Sequence, residues 1–164
     1  LGSDVPFCLV GGTALGTGRG ERVEPVADAG RYHWVVATAD GQIATPRAYA
    51  EVDRLRDNGI GSYASDVSGL LDAVGHGCTA ELAERLHNDM TEAAWSLRPG
   101  LREVAAAGLA DGALAALVSG SGPTTLFLTR HTHHAHALAA RLRMRRVAHD
   151  IHLAAGPVPG AQVM

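Results

Sequence analysis

Several things are scarce in this chain of 164 residues. It holds two cysteines, Cys8 and Cys78, in no metal-ligand spacing, so no disulfide framework is available and two reduced thiols are expected. No apolar stretch approaches the ~20 residues that cross a bilayer. Nothing at the amino end looks like a charged segment followed by an apolar export core, so a cytoplasmic setting without membrane contact is expected. Cations do not dominate either: 14 Lys and Arg stand against 17 Asp and Glu, for a formal charge of -3. A phosphate-binding surface shows as clustered Lys and Arg, so nucleic acid is not an expected partner. The single basic cluster, Arg141-Leu142-Arg143-Met144-Arg145-Arg146, falls where a helix should end and complements its negative terminus. Internal repeats are absent. So is an initiating methionine, since the chain opens on Leu1-Gly2-Ser3-Asp4-Val5-Pro6-Phe7, and a start inside a longer protein is expected.

What is present suits one core, with 46% hydrophobic residues. Residues 9–17 and 32–38, rich in β-branched and aromatic side chains between glycine-containing turns, read as strands, and Val23 to Val26 looks like another. Thr45-Pro46 signals a helix start, with the threonine hydroxyl placed to cap free amides and the proline where its missing N–H costs nothing. Ala48, Val52 and Leu55 follow at helical spacing. Further starts are predicted at Ser65, ahead of Val67, Leu70, Leu71 and Val74, and near Thr79, ahead of Leu82, Leu86 and Met90. Pro99 opens a fourth helix, carrying Leu101, Val104 and Ala105, with Gly108 placed to end it. Leu114 to Val118 and Leu126 to Leu128 read as strands, 133–143 as a helix, and Val147, His149, Ile151 and Leu153 alternate as a last strand. This order predicts an α+β fold, a largely antiparallel sheet with helices packed on one face. The longest loop is expected over 57–64, and Gly156-Pro157-Val158-Pro159-Gly160 as an extended terminal arm.

The most informative segment is Ser119-Gly120-Ser121-Gly122-Pro123-Thr124, set between the last two apolar runs before the 133–143 helix. Two glycines around one hydroxyl residue remove bulk where a backbone passes near something else, and Pro123 pushes Gly122 away from helical geometry. A tight hairpin without a ligand is the alternative. Asp4 ahead of Val5-Pro6 is, by itself, a turn or cap residue, and Tyr49, at helical spacing from Val52, reads by itself as core, since a stacking platform requires an exposed ring with room for a base. Gly11 to Gly20 mimics a dinucleotide fingerprint, but the strand after it, where a helix is required, argues against one. His131, His133, His134 and His136 lack the i, i+4 pairing or second cluster that a metal site needs, so a solvated helix start is expected and no metal.

Taken together, Gly2-Ser3-Asp4-Val5-Pro6-Phe7, the run Gly11-Gly12-Thr13-Ala14-Leu15-Gly16-Thr17-Gly18-Arg19-Gly20-Glu21 and the turn Ser119 to Thr124 resemble the GHMP kinases. Gly156 to Ala161 also looks like the end of actinobacterial members. The resemblance implies that residues 1–30 finish an amino-terminal kinase domain and 31–164 form the GHMP kinase carboxyl-terminal domain. It implies ATP and Mg2+ as cofactors, held mainly by parts not matched here, and a small-molecule alcohol substrate. By resemblance Asp4 is the catalytic base, and Thr45 and Tyr49 hold the cytidine end of a cytidine-diphosphate substrate. Gly120, Ser121 and Gly122 support the phosphate site, and the Gly11 to Gly20 strand lies on the diphosphate side. Mevalonate or homoserine kinase, and a non-catalytic α+β ligand-binding module, are the alternatives. Ser3 and Cys8 depart from the common pattern, where alanine and a second aromatic are usual. Oligomeric state is not indicated.

Overall fold

Tyr32, Val35 and Ala37 are buried on a strand whose other residues are half-buried, which makes this seven-residue run the centre of the main sheet. The computed structural model describes residues 5–61 and 66–162. In chain order the elements are α1 (Val5–Val10), β1 (Ala14–Thr17), β2 (Arg22–Pro25), β3 (Tyr32–Thr38), α2 (Thr45–Asp57), α3 (Ser68–His76) and α4 (Thr79–Arg85). Then come α5 (Thr91–Leu97), α6 (Gly100–Ala110), β4 (Ala115–Val118), β5 (Thr125–Thr129), α7 (Thr132–Arg145) and β6 (Asp150–Gly156). The main sheet has the order β4-β5-β3-β6 with every pair antiparallel.

Side chains alternate across this sheet. Val35 and Phe127, paired in register, point to the face covered by α6 and α7, where Val104, Leu138, Leu142 and Ile151 complete a buried cluster. Trp34 and Leu128 point the other way, and there Tyr32, Ala73, Val74 and Leu82 join them, so α3 and α4 cover part of the reverse face. The expected α+β class stands, with this second, smaller helical layer added. α2 and α5 pack on each other through Val52, Leu55 and Ala93, and adjoin the glycine-turn end of the sheet through Ile43, Ala48, Ala94, Leu101 and Val118.

Four expectations need correction. Residues 9 and 10 belong to α1, not to a strand, and strand geometry begins at Ala14. The predicted Ser65 start lies outside the described residues; α3 begins at Ser68, where the Asp66 carboxylate accepts from the Ser68 N–H and hydroxyl. The helix opened at Thr79 stops at Arg85 because Leu86 turns extended, so Met90 belongs to a separate segment leading into α5, which the spacing of four had hidden. Gly108 is no terminator: it is buried inside α6, facing Phe127.

The β1–β2 hairpin forms its own two-stranded sheet against α1. The tail docks on α1 and the link from it to β1: Val158 accepts from the Gly12 N–H, Pro159 bridges to Gly11, and the Ala161 N–H donates to Cys8. The arm predicted at 156–160 is therefore extended and docked. Both cysteines are free thiols. The basic cluster ends α7, with Arg145 paired to Asp111 at 2.7 Å and Arg141 donating to the Asp111 carbonyl. The histidines also serve this helix: His131 caps it by accepting from the His134 N–H, and His134 accepts from the Arg130 N–H.

Tyr32 shows how burial tunes a group in this core. Its hydroxyl lies 3.4 Å from the Val74 carbonyl, and burial first, then the Asp28 carboxylate, pushes its pKa up to about 12. The unfolded phenol ionises near ~10, so the stabilisation from neutral Tyr32 is complete below that pH and is lost as pH rises through about 12. Near-ultraviolet titration should show one of the three tyrosines ionising late, in step with unfolding. Tyr32→Phe should remove that phase, and an early, fully reversible third ionisation would contradict it.

Candidate active site

The turn between β4 and β5 closes on itself. The Ser119 N–H donates to the Thr124 carbonyl at 2.8 Å and the Gly122 N–H to the Ser119 carbonyl at 2.9 Å. Gly122 has φ +89 and lies so close to Val118 and Ile43 that an added Cβ would stand 3.1 and 3.2 Å from their side chains. That combination of positive φ and close packing requires glycine. Pro123 is buried behind it. Among the described residues, the N–H groups of Gly120 and Ser121 have no acceptor, so they are available to an anionic oxygen.

α2 begins beside this turn. Its N-cap is Ala44, without a side-chain cap, and Pro46 sits in the first turn. The Thr45 hydroxyl does not cap the helix as predicted; its Oγ1 instead lies 3.4 Å from Ser121 Oγ. Two residues singled out separately in the sequence are thus brought together by the packing of α2 on the end of β4 and β5. One helical turn on, Tyr49 is 58% exposed while Ala48 and Val52 beside it are buried. The requirement for an open ring is met. Tyr49 edges a cleft of about 430 Å³ with Val67, Leu70, Arg85, His87 and Met90, enough for part of a small ligand. His87 pairs with Asp89 at 2.8 Å on the rim.

Behind Tyr49, Glu51 is fixed by Arg54 and Ser96: Arg54 donates from Nε and Nη2 at 2.8 and 2.7 Å, and the Ser96 hydroxyl at 2.5 Å. These bonds hold the Glu51 carboxyl at about 2, well under the usual carboxylate range. The bond from Ser96 ties α2 to α5.

Asn88 was not anticipated. Its amide donates to the carbonyls of Val118 and Gly120 at 2.7 and 2.8 Å, and its oxygen accepts from the Met90 N–H at 3.0 Å. The only sequence signal is a polar Asn-Asp pair interrupting an otherwise helical spacing. Asp4 lies outside the described residues. The Gly11 to Gly20 segment runs strand to turn to strand, in agreement with rejecting a dinucleotide fingerprint. Among the described residues no three His, Cys, Asp or Glu side chains could converge on a metal ion. No helix among the described residues is long and apolar enough to cross a membrane.

Known proteins resemble this chain in sequence and in fold. Residues 70–147 match the family model described as GHMP kinases C terminal. A curated protein from Nocardia farcinica is 52% identical over the whole of this chain and 53% of its own length, and one from Streptomyces avermitilis is 49% identical over the whole chain and 55% of its own. Both are named 4-diphosphocytidyl-2-C-methyl-D-erythritol kinase, and the chain spans about half the length of each. Among solved structures, a 4-(cytidine 5'-diphospho)-2C-methyl-D-erythritol kinase superposes with a TM-score of 0.72 at 30% identity, over 98% of this chain and 55% of that one. A homoserine kinase from Cytophaga hutchinsonii, at 21% identity and a TM-score of 0.65 over 93% of this chain and 49% of its own, shares the fold. Whole-chain identity near one half to named kinases, together with the matched carboxyl-terminal model and the superposed sheet and helices, shows that this chain carries a GHMP kinase carboxyl-terminal domain.

Proposed function

We propose that the complete protein transfers the γ-phosphate of ATP to the 2-hydroxyl of 4-diphosphocytidyl-2-C-methyl-D-erythritol, in the non-mevalonate route to isoprenoid precursors and in the cytoplasm. The observation that carries this reading is the pairing on α2 of Thr45, beside the glycine turn, with an exposed Tyr49 one helical turn away over a cleft. An elongated substrate needs its base end and its reacting end held together. Tyr49 offers a face to the cytosine, the Thr45 hydroxyl a hydrogen bond, and the N–H groups of Gly120 and Ser121 support anionic oxygens at the phosphate end.

Asp4, just ahead of α1, takes the proton from the attacking hydroxyl as that oxygen bonds to the γ-phosphorus and the bond from phosphorus to the β,γ-bridging oxygen breaks, releasing ADP. In this reading residues 1–30 belong to the amino-terminal kinase domain and 31–164 to the carboxyl-terminal one. The separate β1–β2 sheet supports that division. The rest of the complete protein supplies the main ATP site.

The test is a substrate panel on the complete protein with ATP and the cytidyl compound, mevalonate or homoserine. Turnover confined to the cytidyl compound is expected, and preference for either other alcohol overturns the assignment. Within that assay Tyr49→Ala should raise KM for the cytidyl substrate by ~10-fold, the worth of one stacked base, while Tyr49→Phe stays near wild type. Equal KM in Tyr49→Ala and wild type would remove the stacking role.

A further inference from the structure

The segment Leu86 to Met90 breaks a helical pattern and leaves Asn88 half-buried with all its polar atoms engaged on one side of the glycine turn. An amide side chain has two N–H donors and one carbonyl oxygen. Here both donors go to backbone carbonyls, of Val118 and Gly120, and the oxygen is fixed by the Met90 N–H, which settles which way the amide faces. The Gly120 carbonyl and the Ser121 N–H belong to one planar trans peptide unit, so they point in opposite directions. Holding the carbonyl against Asn88 therefore aims the Ser121 N–H away from the 86–90 loop. That N–H has no acceptor among the described residues, and its own hydroxyl is the one facing Thr45.

We infer that Asn88 is a positioning residue of the phosphoryl-transfer site: it fixes the Gly120–Ser121 peptide so that the Ser121 N–H is preset toward an anionic oxygen of the bound phosphates. The inference rests on the proposed kinase function for its phosphate ligand, but the orientation of the turn stands on the hydrogen bonds alone. The chemistry also explains why asparagine is used. Aspartate has the same shape, yet it would place carboxylate oxygen against two carbonyl oxygens, leaving both unpaired and repelled. Serine offers a single donor and reaches less far.

The experiment compares wild type with Asn88→Asp and Asn88→Ser in the complete protein, by amide hydrogen exchange at Ser119 and Gly122 and by steady-state kinetics per folded enzyme. The two amides are bonded within the turn, so they report whether it keeps its form. Expected are faster exchange at both amides and, in Asn88→Asp, kcat lowered by ~10-fold or more. KM for the cytidyl substrate should stay within about twofold, because the bond is to the turn and not to the base cleft. Asn88→Ser should fall between the two, which also covers the case that the aspartate variant fails to fold. Unchanged exchange, or a loss of activity that only tracks the folded fraction, would overturn the inference. Should wild type phosphorylate no alcohol of the panel, the kinase assignment fails by itself. Accelerated exchange in Asn88→Asp would then keep Asn88 as the residue that sets the turn, and unaltered exchange would end that too.

Discussion

In the complete enzyme, Asp4→Asn is expected to lower kcat by ~10³-fold, within the range that a positioned general base contributes. The carboxamide has the size of the carboxylate and can still receive a hydrogen bond from the substrate hydroxyl, so KM for the cytidyl substrate should change by no more than a few fold. What it cannot do is take the proton as the oxygen attacks. Activity should not vanish, because the loose transition state of phosphoryl transfer draws much of its stabilisation from alignment and charge, which the substitution leaves in place. The support for this role is the resemblance of residues 2–7 and the position of Asp4 directly ahead of α1. Steady-state kinetics decide it: an Asn variant with near-normal kcat removes Asp4 from the reaction.

Gly108→Ala should destabilise the protein, against the usual direction for an exposed helix position. Alanine in place of glycine inside a helix ordinarily gains ~1 kcal/mol. At this site a Cβ would stand 2.1 Å from Phe127 Cε1 and 2.5 Å from Cδ1. The ring cannot retreat easily, since Phe127 is fully buried among Val35, Val104, Leu138 and Leu142. Overpacking of this kind costs ~1–3 kcal/mol, so after the helix-propensity gain is offset a net loss of about 1 kcal/mol is expected as α6 is displaced from β5. Phe127→Leu shortens the side chain where the clash occurs, so Gly108→Ala should cost less in that background. Urea unfolding of the four proteins of the cycle measures the coupling. A neutral or stabilising Gly108→Ala, with no coupling to Phe127, would contradict the contact.

The main sheet was largely legible because its strands carry their own signals. Tyr32 to Thr38 is β-branched and aromatic between turns, and the observed strand has the same limits. Thr45-Pro46 marked the start of α2 correctly, yet the job of the Thr45 hydroxyl depended on where Ser121 would lie, 76 residues away in the chain. Gly108 looked like a helix terminator because glycine is common there; its actual reason is the Phe127 ring, a contact that no local pattern reports. The break at Leu86 was hidden for a related reason. Leu82, Leu86 and Met90 keep a helical interval, but the backbone leaves the helix, and Asn88 there bonds two carbonyls of the distant turn. Tyr49 could be resolved only by the partner helix: α5 covers the Val52 and Leu55 side of α2 and leaves the ring open.

The docking of 158–161 on residues 8–12 has a consequence for the order in which the molecule is assembled. These two segments are separated by nearly the whole described chain, whereas β3 can begin to pair once β5 has been made. At ~5–20 residues per second of synthesis, residues 8–12 wait on the order of ten seconds for the tail that docks on them. During that interval β3, β4 and β5 can already pair, while β6 is made only just ahead of the docking tail. The end of α1 and the link after it are thus the last of the described residues to acquire their partner, and a ribosome-stalled chain ending before Val158 should present residues 8–12 to proteases that leave the central strands intact.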